Sequence, residues 1–288
     1  MRLGTRALLG LLWLLHWLPA SWQSAIGAVA GMLLHRLAGT RRRIALRNIE
    51  LCLPELDAKA REALVREHFR WLGRSLLWFA PRERIERLIE IEGDVHLAER
   101  TEGAVMWLVP HFMALEAAAT AAQLFQSRRG ATVYQAQRNP VFDAAVRAGR
   151  ERFGGSVLFS RHDSAKPLIR AIRHDGLGFF NLPDMDFGMK DAAFVPFFGV
   201  PAATLLAPSR MARMLDMTVQ PVIAEMREQG GWRVRFLPPL PDWPTADAHA
   251  DTLRMNQWIE AEVRKNPAQY LWVHKRFKTR PPGEAAMY

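Results

Sequence analysis

Cysteine is nearly absent. The single one, Cys52, excludes an intramolecular disulfide and a cysteine-rich zinc site. No histidine lies close to it in sequence, so it reads as a packed apolar residue rather than a nucleophile. The chain also lacks His-Glu-x-x-His, Gly-x-Gly-x-x-Gly, Gly-x-x-x-x-Gly-Lys and Gly-x-Ser-x-Gly. Metal and dinucleotide chemistry are therefore unsupported, and no metal ligands and no cofactor are expected. There is no internal repeat, low-complexity tract or long linker. A further absence is local: from Ala7 to His35 there is no Asp, Glu, Lys or Arg.

That uncharged stretch holds a dense block of leucines together with Trp13, Trp17 and Trp22, and Pro19 interrupts it. Arg2 and Arg6 precede it; Arg36, Arg41, Arg42 and Arg43 follow. Each half is shorter than the roughly 20 residues of a spanning helix, although the pair together is long enough. A cleaved signal peptide and a buried helix pair are the competing readings. The basic cluster after the apolar segment favours a retained anchor that enters or crosses the inner membrane and grips anionic lipid. The chain accordingly divides into an anchor with its basic flank over residues 1–40 and a main domain over 41–288.

The 288 residues are 49% hydrophobic, ample for a sizeable core. Lys and Arg number 39 against 29 Asp and Glu, a formal charge of +10. Such a surface suits nucleic acid, anionic lipid headgroups or an acidic carrier protein, and the apolar N-terminus favours lipid.

Periodicity outlines the rest. A helix is predicted over 56–79, with Asp57 as N-cap and Leu64, Phe69, Leu72, Leu76 and Phe79 on its apolar face. A charged helix over 82–90 leads to a strand near Ile91. Strands at 104–109, 132–135, 157–159 and 178–182 then alternate with helices at 113–124, 141–153, 165–172 and 204–215. Strands at 218–224 and 232–237 precede a long helix at 248–265. This alternation predicts an α/β fold, a mostly parallel central sheet flanked by helices.

Sites in such sheets gather at the carboxyl ends of strands, and His111 and Asp184 both fall there. His111 follows the apolar run 104–109 directly, and Glu116 comes five residues later. Two residues five apart in one helix point about 140° apart, so the pair can meet only if His111 lies outside the helix. A histidine held by a carboxylate is a general base near neutral pH. No acidic or thiol nucleophile accompanies it, so the substrate must supply the nucleophile, as in acyl transfer to a hydroxyl. The competing reading is a surface histidine beside an acid that complements the helix dipole.

Other segments carry candidate chemistry. Asp184 and Asp186 either line a site or cap a turn before Gly188. In Tyr134-Gln135-Ala136-Gln137-Arg138-Asn139-Pro140, Arg138 either holds an acceptor phosphate or oxyanion or sits in an exposed turn. Phe194-Val195-Pro196-Phe197-Phe198-Gly199 is unusually apolar for a loop; with Met113 it lines an acyl tunnel, or it is core. The segment 269–280 interleaves aromatics with His274, Lys275, Arg276, Lys278 and Arg280, a pattern that suits nucleic acid or a phosphorylated lipid.

These motifs together resemble the bacterial late acyltransferases of lipid A biosynthesis, the lauroyl and myristoyl transferases. The residues that carry the resemblance are His111 and Glu116, Arg138-Asn139-Pro140, Pro183-Asp184-Met185-Asp186-Phe187-Gly188, Phe194 to Gly199, Thr204, Ala212-Arg213-Met214 and Gln269 to Pro281. The resemblance implies a glycerolipid-acyltransferase-like fold at the inner membrane, with its catalytic domain facing the bacterial cytoplasm. It implies acyl carrier protein as donor, and as acceptor a hydroxyl of a 3-hydroxyacyl chain on a lipid A precursor. The product is an acyloxyacyl ester, and nucleic acid is not a partner. His111 and Glu116 are then the catalytic pair. Arg138, Asn139, Asp184, Asp186, Lys275 and Arg276 bind substrate, and Met113, Phe194, Phe197 and Phe198 form the acyl pocket. One departure is Gln135, where family members often carry arginine; Arg138 or Arg161 would then take that role. Acylation of another membrane lipid such as an aminolipid, and a non-catalytic acidic-lipid-binding protein, are the alternatives.

Overall fold

The computed structural model describes residues 2–75, 81–154, 156–161 and 165–288. Leu76 and Phe79, expected on a helix face, lie outside them. Four helices come first: α1 (Arg2–Leu15), α2 (Ala20–Leu37), α3 (Gly39–Cys52) and α4 (Ala58–Arg74). Then follow α5 (Arg82–Leu88), β1 (Ile89–Gly93), α6 (Leu97–Arg100), β2 (Val105–Leu108), α7 (Leu115–Leu124), β3 (Gly130–Tyr134) and α8 (Pro140–Glu151). The chain continues through β4 (Val157–Ser160), α9 (Lys166–His174), β5 (Gly178–Asn181), β6 (Ala192–Phe197), β7 (Val200–Leu205) and α10 (Ala207–Met214). It closes with β8 (Thr218–Met226), β9 (Trp232–Phe236), α11 (Ala248–Lys265) and a 3-10 turn at Pro267–Gln269. Asp57 caps α4 as expected, accepting the Ala60 N–H at 2.7 Å.

Seven strands form one sheet in the order β1-β9-β8-β2-β5-β3-β4. Every neighbouring pair is parallel except β8 and β9. That exception follows from a tight turn at 227–231, where Gly230 and Gly231 take φ of 92° and 81°. Such a turn can return the chain only antiparallel. The predicted mostly parallel sheet flanked by helices is thus present, with β1 and β9 reversed.

Alternation along β2 explains why both faces are covered. Met106 and Leu108 enter a core shared with α3, α4, α9 and α11, whereas Val105 and Trp107 enter a second core shared with α5 and α7. All four residues of β2 are buried, as a strand between two helical layers requires.

Two expectations need correction. Residues 194–201 are not a loop, and the helix expected from residue 204 starts at Ala207. The segment forms the antiparallel hairpin β6–β7, in register Phe197↔Val200. Phe198 and Gly199 turn it with φ of 51° and 74°, the left-handed pair that a two-residue hairpin needs. Gly199 was the available signal.

At the N-terminus, α2 lies hard against α4. A Cβ on Gly31 would fall 1.9 Å from the Phe69 carbonyl oxygen, and one on Gly73 would fall 2.1 Å from that of Gly27. Only glycine permits this backbone approach. The outer surface of α1 and α2 exposes Leu3, Leu8, Leu11, Trp13, Leu14, Trp22, Val29, Leu33 and Leu37. Among the described residues, no helix is long and apolar enough to cross a membrane.

Candidate active site

β2 and β5 are adjacent and parallel, with Leu108 opposite Asn181. Their carboxyl ends therefore release the chain side by side. Val109 and Pro110, the latter without an N–H, follow β2, and His111 comes next. Leu182 and Pro183 follow β5, and Asp184 comes next. The two side chains meet over the sheet edge. The His111 Nδ1 lies 2.6 Å from Asp184 Oδ1, and the His111 backbone N–H donates to Asp184 Oδ2 at 2.9 Å. Tyr270 donates its hydroxyl to the same Oδ2 at 3.0 Å.

Asp184 is 2% exposed. Burial alone would raise its pKa; the His111 charge and the hydrogen bonds from His111 and Tyr270 outweigh it and hold the carboxyl below its usual value. An acceptor carboxylate at Nδ1 fixes the tautomer of His111 with its lone pair on Nε2. The imidazole is thus a pre-oriented proton acceptor.

The carboxylate expected to hold His111 was Glu116, and this is corrected. Glu116 lies in the first turn of α7 and accepts both oxygens' worth of hydrogen bonds from Arg150 of α8, with Nε at 3.1 and 3.2 Å. Burial would lower the Arg150 pKa, but the Glu116 carboxylate outweighs it and raises the pKa. The same guanidinium sits over the Tyr134 ring, 5.2 Å from its centre.

That ion pair borders a partly open, mainly apolar pocket, walled chiefly by Trp107, Leu115, Ala119, Ala122, Phe180 and Leu182. Trp107 is packed so closely over Gly178 that a Cβ there would meet its ring at 2.5 Å. The expected acyl-pocket residues line other places. Met113 packs with α7 in the second core, and Phe197 has no exposed surface and packs edge-on against Phe198. Phe194 and Phe198 belong to the hairpin. Phe197 does border a smaller space of about 280 Å³ beside His111, Asp184, Tyr270 and His274. Within the hairpin Val195 and Phe197 are buried, Phe194 and Phe198 are half-buried, and Pro196 is exposed.

The expected substrate-binding residues scatter. Asn139 caps α8 by accepting the N–H groups of Val141 and Phe142, and its amide donates to Thr5 of α1 at 2.8 Å. Arg138 beside it is exposed. Asp186 accepts the N–H and hydroxyl of Thr279 at 2.7 and 2.8 Å, and its own N–H donates to His274 Nε2 at 3.1 Å. Arg276 is buried and donates to the Ala203 carbonyl and Thr204 hydroxyl. Lys275 is half-buried, with its ammonium 5.5 Å from the centre of the Tyr288 ring. The segment 269–280 is therefore no open basic strip. It wraps the site and ties the Asp184–Asp186 loop to the hairpin, so Asp186 and Arg276 act as staples in this fold. Sequence reasoning missed Arg150, Tyr270 and His274 as neighbours of the site, because each reaches it from a distant element.

A histidine–aspartate pair thus sits at the carboxyl edge of a largely parallel sheet. The chain belongs to the bacterial lipid A biosynthesis acyltransferase family, matching it over residues 2–279. It is 33% identical to the lipid A biosynthesis lauroyltransferase of Escherichia coli K12, covering 97% of this chain and 93% of that one. It is 31% identical to the palmitoleoyltransferase of the same strain (97% and 92% covered) and 34% identical to the myristoyltransferase (94% and 85% covered). The resemblance carried by the motifs is thereby shown, and the protein is an acyltransferase.

Proposed function

We propose that the protein moves a fatty acyl group from acyl carrier protein to the hydroxyl of a 3-hydroxyacyl chain on a lipid A precursor. The observation that carries this reading is the 2.6 Å contact between His111 and the buried Asp184. The acceptor hydroxyl gives its proton to His111 Nε2 as its oxygen attacks the thioester carbonyl. Asp184 stabilises the imidazolium that forms. The C–S bond then breaks, the proton passes to the departing thiol, and an acyloxyacyl ester remains.

The apolar pocket beside Trp107 and Leu182 is the place for the acyl chain. Its wall includes Leu182, two positions before Asp184, and Leu115, four after His111. The relatives named for lauroyl, palmitoleoyl and myristoyl transfer are almost equally similar to this chain. Acyl length is therefore a property of the cavity rather than of overall identity.

The exposed apolar faces of α1 and α2 supply attachment to the inner membrane by lying in its interface, with tryptophans at headgroup depth. The positive surface suits an acidic carrier protein and the phosphorylated acceptor. The test is ester formation, read by product mass, from purified protein, acyl carrier protein thioesters of graded length and a lipid A precursor. No thioester consumption, or transfer only to an unrelated lipid, overturns the reading.

A further inference from the structure

Residues 269–271 run antiparallel beside 111–113 as an extra strip of sheet. Met113 N–H donates to the Gln269 carbonyl at 2.8 Å, Leu271 N–H donates to the His111 carbonyl at 3.0 Å, and Phe112 pairs with Tyr270. This pairing fixes Tyr270 against the backbone that carries the base. Its ring is wedged edge-on between Phe112 and Trp272, with centroids at 5.7 and 5.0 Å. The ring cannot turn without disturbing either neighbour, so its buried hydroxyl has one fixed direction, and that direction ends on Asp184.

We propose that Tyr270 is a positioning residue of the acyl-transfer site, acting on His111 through Asp184. The proposal rests on the acyltransferase reading above. Asp184 Oδ1 is given to the His111 ring, and Oδ2 is shared by the His111 N–H and the Tyr270 hydroxyl. Without the tyrosine the carboxylate can rotate about its last bond, and the imidazole follows. The hydroxyl also draws charge from the carboxylate, which tempers how strongly Asp184 holds an imidazolium.

The surrounding groups set the sign of the pH effect. Asp184 follows β5; Tyr270, His274 and Arg276 come from the C-terminal segment; Cys52 comes from α3; Asp186 lies two residues past Asp184. Burial first and the charge of His111 second push the His274 imidazole down to about 4, and its Nε2 accepts the Asp186 N–H, so it is neutral and does not titrate with His111. Burial, followed by the Asp184 charge, keeps the Tyr270 phenol protonated, far above its ordinary value. Within this set the change made by Tyr270→Phe falls on Asp184 alone. The carboxylate then holds the imidazolium more tightly, so the acid limb of the rate profile moves to higher pH.

The experiment pairs two readouts on the full-length protein. Histidine-labelled protein is titrated by NMR, with His111 assigned from His111→Gln, and ester formation is followed over pH. Tyr270→Phe should raise the His111 midpoint and lower kcat about tenfold, the size of one hydrogen bond to a charged group. KM for the donor should stay unchanged. In an Asp184→Asn background the same substitution should add nothing. An unmoved midpoint, or losses that multiply with Asp184→Asn, overturns the proposal. The titration needs no turnover, so it still decides the role of Tyr270 if the acyl-transfer reading itself fails. Should Tyr270→Phe not fold, 3-fluorotyrosine labelling of the chain's three tyrosines strengthens the donor and should lower the midpoint; an unmoved midpoint there is equally contrary.

Discussion

Asp184 grips His111 at two points, its ring nitrogen at 2.6 Å and its backbone N–H at 2.9 Å. One carboxylate therefore sets both where the loop after β2 lies and which way its imidazole faces. The backbone contact is part of the fold, and the ring contact is part of the chemistry. This double attachment ties the fold to Asp184 and, in the proposed reaction, the orientation of the base as well.

The stability consequence has a definite sign. The folded Asp184 carboxyl titrates below its usual value, while in the unfolded chain it titrates near 3.9. Its contribution is fully present above about pH 4 and is lost as pH falls through the lower folded value. The thermal midpoint of the wild type should therefore drop more steeply below pH 4 than that of Asp184→Asn. Parallel acid slopes for the two proteins would contradict this.

Cavity and hairpin make opposite predictions. Ala119→Phe fills the cavity and should shift preference toward shorter donors, since each CH₂ left out of it forfeits about 0.8 kcal/mol. Phe197→Ala empties core and should cost ~3–5 kcal/mol of stability while leaving donor preference unchanged. Melting curves and a donor-length series on both variants check this.

Attachment to membranes should depend on exposed side chains rather than on the α2–α4 contact. Changing Trp13 and Trp22 to Ser should weaken binding to anionic vesicles in a flotation assay without lowering the melting temperature. Gly31→Leu should do the reverse, because its side chain has no room beside Phe69.

Donor recognition should weaken with salt. Exposed charges are screened over roughly 8 Å at physiological ionic strength, so KM for the acyl carrier protein thioester should rise between low and high salt. A flat response would contradict electrostatic docking.

The succession of strands and helices along the chain was legible because α/β periodicity is local. The Asp57 cap and the helix Ala248–Lys265 follow from a few neighbouring residues. His111 and Asp184 were legible as strand-end residues, since adjacent strands of a parallel sheet open on the same edge. Their pairing was not. Sequence proximity favoured Glu116, whereas strand order placed Asp184 nearer, and strand order is a non-local property. The hairpin was read as a loop because Pro196, Gly199 and Pro201 break up the pattern of its two short strands. Tyr270 stood in a recognisable motif, but its hydrogen bond crosses 86 residues of chain, and no spacing rule reaches that far.

The most direct measurement is the initial rate of ester formation on a lipid A precursor for wild type, His111→Ala, Asp184→Asn and Glu116→Gln at one donor concentration. The account predicts losses of about 10²–10⁴-fold for the first two variants, and a distinctly smaller loss for Glu116→Gln, whose carboxylate serves Arg150. Wild-type rates in His111→Ala, or a Glu116→Gln loss that matches His111→Ala while Asp184→Asn stays active, would contradict it.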